Sequence, residues 1–287
     1  MLGAIEAGGT KFVLAIGNQS GDILDKIVIP TEHPDITVPK VIDYFKDTKI
    51  KRLGLGGFGP IDINQDSPTY GQIQQSPKTA WVDYPLGAVL QEKLNIPIII
   101  DTDVNVAAMS EAKFGSARDV DSCLYITVGT GIGAGAYYHG RTLQGLSHPE
   151  MGHIKVRRHP KDTYKGTCPY HEDCLEGLAA GPAIEKRWGK KGDQLADLPH
   201  VWEMEAYYLA QALTNYIYVL SPERIILGGG VMKQKQLFPL IRQNVIDMLN
   251  GYVSSPYLTK DKIDEYIVSP GLTDEAGIKG ALHLVME

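Results

Sequence analysis

The chain has 287 residues, 43% of them hydrophobic and 22% charged, enough for one large domain or two modest ones with cores of their own. Its formal net charge is −6 and its longest basic run is only Lys155-Val-Arg157-Arg158, which argues against a nucleic-acid partner. No stretch approaches the ~18 consecutive apolar residues of a membrane span. Met1–Glu6 has no basic leader, and an odd number of cysteines (Cys123, Cys168, Cys174) does not suit a disulfide framework, so a cytoplasmic location is expected.

In chain order, Leu2–Glu6, Phe12–Ile16 and Ile23–Ile29 read as the strands of a meander, separated by Gly8-Gly9 and by Gly17–Gly21. Val38–Phe45 has helical spacing. A strand at Leu53–Gly57 runs into Gly56-Gly57-Phe58-Gly59-Pro60, and a helix follows at Leu86–Leu94. Ile96–Ile100 reads as a buried strand that delivers Asp101-Thr102-Asp103 to the start of a helix over Val104–Phe114. The pattern then begins again: strand Cys123–Val128, turn Gly129–Gly133, strand Ala134–Tyr138. Ala4–Thr10 and Tyr125–Gly131 share the order apolar strand, Gly/Thr turn, apolar strand, which suggests two halves on one plan. A long helix over Met204–Val219, a strand at Arg224–Leu227 ending in Gly228-Gly229-Gly230, and a helix over Glu275–Val285 complete the reading. Polar stretches 62–80 and 159–175 are long for structureless loops, so each should be functional or stapled.

Three glycine turns follow strands: Gly8-Gly9-Thr10-Lys11, Gly129-Thr130-Gly131-Ile132-Gly133 and Gly228-Gly229-Gly230. Glycines let a backbone approach a polyphosphate closely, Thr10 and Thr130 add hydroxyls, and Lys11 adds a charge. No P-loop motif is present. Gly129–Ala134 matches a dinucleotide fingerprint, but that fingerprint must open a helix and here a strand follows. Asp103, where strand meets helix, can serve as a general base towards a hydroxyl or as a helix cap.

His153, Cys168, His171 and Cys174 offer two nitrogens and two sulfurs with local spacings of three residues, a set suited to a closed tetrahedral zinc site that would pin loop 159–175. His159 and then His148 are lesser candidates for the histidine position. Glu150 and Glu176 flank this cluster in sequence and can accept hydrogen bonds from sugar hydroxyls.

These residues resemble the ROK sugar kinases, and within them the bacterial fructokinases, over nearly the whole chain. The resemblance is carried by Glu6–Lys11, Asp103–Ala108, Thr130–Gly133, His148–His153 and, most specifically, Cys168–Gly177. It implies an α/β, actin-like ATPase fold of two ribonuclease-H-like lobes around an active-site cleft. Residues 1–117 with 271–287 would form the smaller lobe, and 118–270 a larger one with the zinc-stapled loop. It implies that Gly8–Lys11 and Thr130, Gly131 and Gly133 face the phosphates of ATP, and that Gly181, Pro182 and Gly228–Gly230 lie beside adenosine. Asp103 matches the family's general base, while Gly59, Thr102, Glu150, His153 and Glu176 are expected to contact the sugar or support those contacts.

The implied activity is phosphorylation of a hexose by ATP with magnesium, D-fructose to fructose 6-phosphate, by a cytoplasmic homodimer with one structural zinc. Glucokinase, mannokinase, a non-catalytic sugar sensor and a zinc-containing dehydrogenase are the alternatives. The chain departs from the family pattern at Glu6 and Thr102, where Asp and Asn are common, and at His171, where Cys is common. A DNA-binding domain like that of the family's repressors is not expected, because the first hairpin begins at Leu2.

Overall fold

A computed structural model describes residues 1–76 and 78–286. In chain order the strands are β1 (Leu2–Ala7), β2 (Lys11–Gly17), β3 (Ile23–Pro30), β4 (Leu53–Gly57), β5 (Ile98–Thr102), β6 (Ser122–Val128), β7 (Ile132–Tyr138), β8 (Arg141–Thr142), β9 (Arg224–Gly228) and β10 (Ile267–Val268). The helices are α1 (Pro34–Phe45), α2 (Leu86–Leu94), α3 (Asp103–Phe114), α4 (Leu175–Ala179), α5 (Gly181–Trp188), α6 (Pro199–Leu220), α7 (Leu237–Leu249), α8 (Ile263–Tyr266) and α9 (Ala276–His283). The chain divides into unit 1 (Met1–Gly115, Gly140–Pro149, Leu272–Glu287) and unit 2 (Ser116–His139, Glu150–Gly271).

Unit 1 is built on a mixed sheet of order β3-β2-β1-β4-β5, with β1, β4 and β5 parallel and β2 antiparallel to its neighbours. Strand alternation sends side chains to two cores. Ile5, Ala7, Phe12 and Leu14 pack with Val41 and Phe45 of α1 and Leu90 of α2. Leu2, Ala4, Val13 and Ala15 pack with Ile278, Ala281 and Leu282 of α9. Helix α9 lies so close to the sheet that a Cβ on Gly54 would stand 1.8 Å from the Ala281 carbonyl oxygen, so only glycine fits there.

The parallel register Gly56↔Asp101 and Gly57↔Thr102 carries β5 two residues beyond the expected Ile100. Helix α3 therefore starts at Asp103. Helix α1 starts a turn before Val38 because Pro34 suits a first helical position. Loop 62–80 is stapled to itself through Asp62, which accepts from Ser67 Oγ (2.5 Å), Thr69 Oγ1 (2.6 Å) and the Asn64 amide (3.0 Å). The segment Gly140–Pro149, expected within the second lobe, belongs to unit 1, where Thr142 and His148 bond to Asp101 and Ile61.

In unit 2, β6 is antiparallel to β7 and parallel to β9, which is parallel to β10. The run β10-β9-β6-β7 thus repeats β5-β4-β1-β2 of unit 1. Helix α7, absent from the sequence reading, buries Leu237, Ile241, Val245 and Leu249 at four-residue intervals and packs on the long α6. Among the described residues no helix is long and apolar enough to cross a membrane.

Candidate active site

Parallel strands place ligand-facing groups at their carboxyl ends. In unit 1 these ends carry Gly8–Lys11 after β1, Gly59 after β4 and Asp103 after β5. The first turn is tight: the Gly8 amide donates to the Lys11 carbonyl (2.9 Å), and Thr31 Oγ1 donates to the Gly8 carbonyl (2.6 Å). Gly8 and Gly9 are half-buried, while Thr10 and Lys11 are exposed.

Asp103 is half-buried at the first position of α3, and its Oδ1 accepts from the Val104 amide (2.9 Å). It is not the helix cap. That role falls to Thr102, whose Oγ1 accepts from the Asn105 amide (3.1 Å). Thr102, expected to touch sugar, is buried at 2% exposure with its hydroxyl turned to its own helix. The sequence reading missed Asp101, which organises this corner. Its buried carboxylate accepts from the Thr102 amide (2.7 Å), Asn105 Nδ2 (2.7 Å) and Thr142 Oγ1 (2.9 Å). Burial pushes the Asp101 carboxyl up, and the bonds from Asn105, Thr102 and Thr142 offset part of that rise. His148 accepts from the Ile61 amide (3.3 Å) through Nε2, and burial pushes its pKa down. It is not one of the four clustered metal-ligand candidates, and its ring sits at Ile61, next to the Gly59-Pro60 bend. Burial also raises the Glu6 carboxyl, against the opposing pull of Lys11. Glu6 packs on Gly277 of α9, and its Oε2 has no hydrogen-bond partner among the described residues.

In unit 2 the three remaining nucleotide candidates converge. The Gly181 amide at the start of α5 donates to the Gly129 carbonyl (2.8 Å), and the Gly230 amide lies 3.9 Å from the Cβ position of Gly129. Gly229 takes φ +93° against the Val128 backbone, a conformation that requires glycine. Pro182 is the second residue of α5, and Thr130 is exposed at the tip of the turn. The turn is shorter than expected, because Gly133 pairs with Thr127 inside the β6-β7 ladder. Glu176, expected at the sugar, accepts from the Ile132 amide through Oε2 (2.9 Å). A Cβ on Gly131 would come within 2.6 Å of that oxygen, so the glycine admits the carboxylate.

The ligand atoms of His153, Cys168, His171 and Cys174 all lie within 4.8 Å of one another. His153 Nδ1 is 3.4 Å from Cys174 Sγ and 3.8 Å from Cys168 Sγ, and Cys168 Sγ is 3.6 Å from His171 Nδ1. Bonds of about 2.0–2.3 Å at tetrahedral angles put such ligand atoms about 3.6 Å apart, and these three separations match that spacing. His159 is not part of it: its Nδ1 accepts from the Lys161 amide. Glu150 Oε2 is 4.0 Å from His153 Nε2. Burial, and then the charge of Glu176, push the Glu150 carboxyl up to about 7.

Two units with one strand order, and glycine turns at the carboxyl ends of their parallel strands, define an α/β protein of the actin-like ATPase class. The ROK family profile matches residues 2–287, and the chain belongs to that family. It is 56% identical over 284 residues to a Bacillus subtilis (strain 168) protein named "Putative fructokinase", covering 99% of this chain and 95% of that protein. It is 46% identical over 284 residues to the fructokinase of Pediococcus pentosaceus, covering 99% and 97% of the two chains. Among solved structures, the ROK hexokinase of Thermus thermophilus superposes with a TM-score of 0.77 at 24% identity, over 99% of this chain and 97% of that one.

Proposed function

We propose that this protein transfers the terminal phosphoryl group of ATP, supplied as its magnesium complex, to a hexose hydroxyl, converting D-fructose to fructose 6-phosphate in the cytosol. The observation that carries the reading is the place of Asp103: at the carboxyl end of β5, with the capping role taken by Thr102. As the sugar oxygen attacks the γ-phosphorus, Asp103 takes its proton; the O–P bond to the sugar forms while that to ADP breaks. Positioning and charge stabilisation supply most of the catalysis. The converging turns Gly129–Gly131, Gly181-Pro182 and Gly228–Gly230 hold the nucleotide, and Glu176 braces the first of them through Ile132. Gly8–Lys11 faces the phosphates, and Glu150 accepts a sugar hydroxyl. The relatives named fructokinase support fructose as the substrate.

The cluster His153, Cys168, His171 and Cys174 is read as a structural zinc site: four protein donors fill a tetrahedron and leave no position open for water. With zinc bound, its charge would hold the thiolates together and tie residues 168–174 to His153.

Replacing Asp103 by Asn should lower turnover by about 10²–10⁴-fold while hexose binding persists. Near-normal turnover in that variant defeats the assignment. A coupled ADP-release assay with fructose, mannose, glucose and N-acetylhexosamines tests the sugar, and a preference for glucose or mannose overturns the fructose reading.

A further inference from the structure

Loop 62–80 has no part in the chemistry above, yet its end is held firmly beside the first phosphate turn. Trp81 is 1% exposed, and its indole nitrogen donates to the Glu32 carbonyl (2.9 Å). Its ring packs on Phe12 (centroids 5.5 Å apart), the residue that follows Lys11 in β2, and on Phe58 (5.8 Å). From this anchor the Trp81 amide donates to the Lys78 carbonyl (2.8 Å), closing the short 3-10 turn Thr79–Trp81. The Lys78 amide in turn donates to Oγ of buried Ser76 (3.2 Å). The backbone of Lys78 is thus fixed while its side chain is exposed.

That side chain reaches over Gly9. Lys78 Cε lies 3.8 Å from the Cβ position of Gly9, and beyond the chain neighbours it is the sole heavy atom within 4 Å of that position among the described residues. The ammonium is one bond farther on, and among the described residues no carboxylate pairs with it. An unneutralised ammonium over a glycine turn, on a stem rooted in a packed tryptophan, is arranged for an anion of high charge density such as a phosphoryl oxygen.

We propose that Lys78 is a further phosphate-binding residue, contributing a point charge to the β-phosphoryl oxygens, which ADP shares with ATP, at the Gly8–Lys11 turn. The inference rests on the reading of that turn as a phosphate site. Loop 62–80 then serves to bring a second lysine, besides Lys11, to the same turn from a distant part of the chain.

The test compares Lys78→Ala and Lys78→Arg with the parent protein in steady-state kinetics and in calorimetric titration with ADP, AMP and fructose. Lys78→Ala should lower kcat/KM for ATP by about 10- to 100-fold, the effect of losing one charged donor at a transferring group. It should weaken ADP binding, leave AMP and fructose binding within about twofold, and keep the parent melting temperature, since the side chain is exposed. Lys78→Arg should recover part of the loss. A kcat/KM for ATP within about twofold of the parent, or equal weakening of ADP and AMP, overturns the proposal. The ADP-against-AMP comparison reads Lys78 even if the parent turns over no hexose, a result that would count against the proposed function instead.

Discussion

Replacing Asp101 by Asn and by Ala should give opposite results, and the structure says why. Asp101 Oδ1 receives the Thr102 amide and Asn105 Nδ2, and Oδ2 receives the Thr142 hydroxyl. An asparagine keeps a carbonyl oxygen at the first position and offers an NH₂ at the second, to which the Thr142 hydroxyl can rotate and accept. It also removes a carboxylate that burial disfavours. Because the folded pKa is raised, the stability contributed by Asp101 is complete below its unfolded pKa and is lost as pH rises through the folded one. At neutral pH, Asp101→Asn should therefore be as stable as the parent or more so, and the difference should vanish in acid. Asp101→Ala strands two buried N–H donors at about 1–3 kcal/mol each, so about 2–6 kcal/mol in all. At about 2–4 °C per kcal/mol for a chain near this size, the melting temperature should fall by roughly 4–24 °C. Turnover should fall with it, because Thr102 and Asn105 frame Asp103. Thermal melts from pH 4 to pH 8 with parallel activity assays decide the matter. Equal losses in both variants would mean that the charge matters, through a protonated His148, and would refute the acceptor argument. No loss in Asp101→Ala would refute the role altogether.

Purified protein should carry about one zinc per chain by elemental analysis, and chelation should open residues 159–175 to protease; no zinc, or an unchanged digest, rejects the site. Arg187 on α5 pairs with Asp162 at 3.0 Å and also donates to the Leu178 carbonyl, with side-chain exposures of 6% and 2% for the ion pair. Arg187→Met should cost about 3–5 kcal/mol in denaturant unfolding by leaving a buried carboxylate without its cation. Adding Asp162→Asn should restore part of that, and a loss below about 1 kcal/mol in the single variant would mean the pair is not the anchor it looks to be.

The amino-acid sequence determined the local pieces by itself: strand and turn order, the repeated hairpin, and four candidate metal ligands within a span of 22 residues (His153–Cys174). These follow from apolar periodicity, glycine and ligand chemistry, which act over a few residues. What tertiary structure decided are the partners. Parallel pairing with β4 extended β5 and moved the start of α3 to Asp103, which left Thr102 as the cap and took it from the list of ready sugar ligands. The close approach of Glu176 to the Ile132 amide, 44 residues away in sequence, gave an expected sugar residue a bond to a glycine turn. Thr142 reaches Asp101 across 41 residues, and Trp81 reaches Glu32 across 49. A buried carboxylate or indole must find a partner wherever packing brings one, and that choice is made by the arrangement of sheets and helices, which residue spacing does not encode.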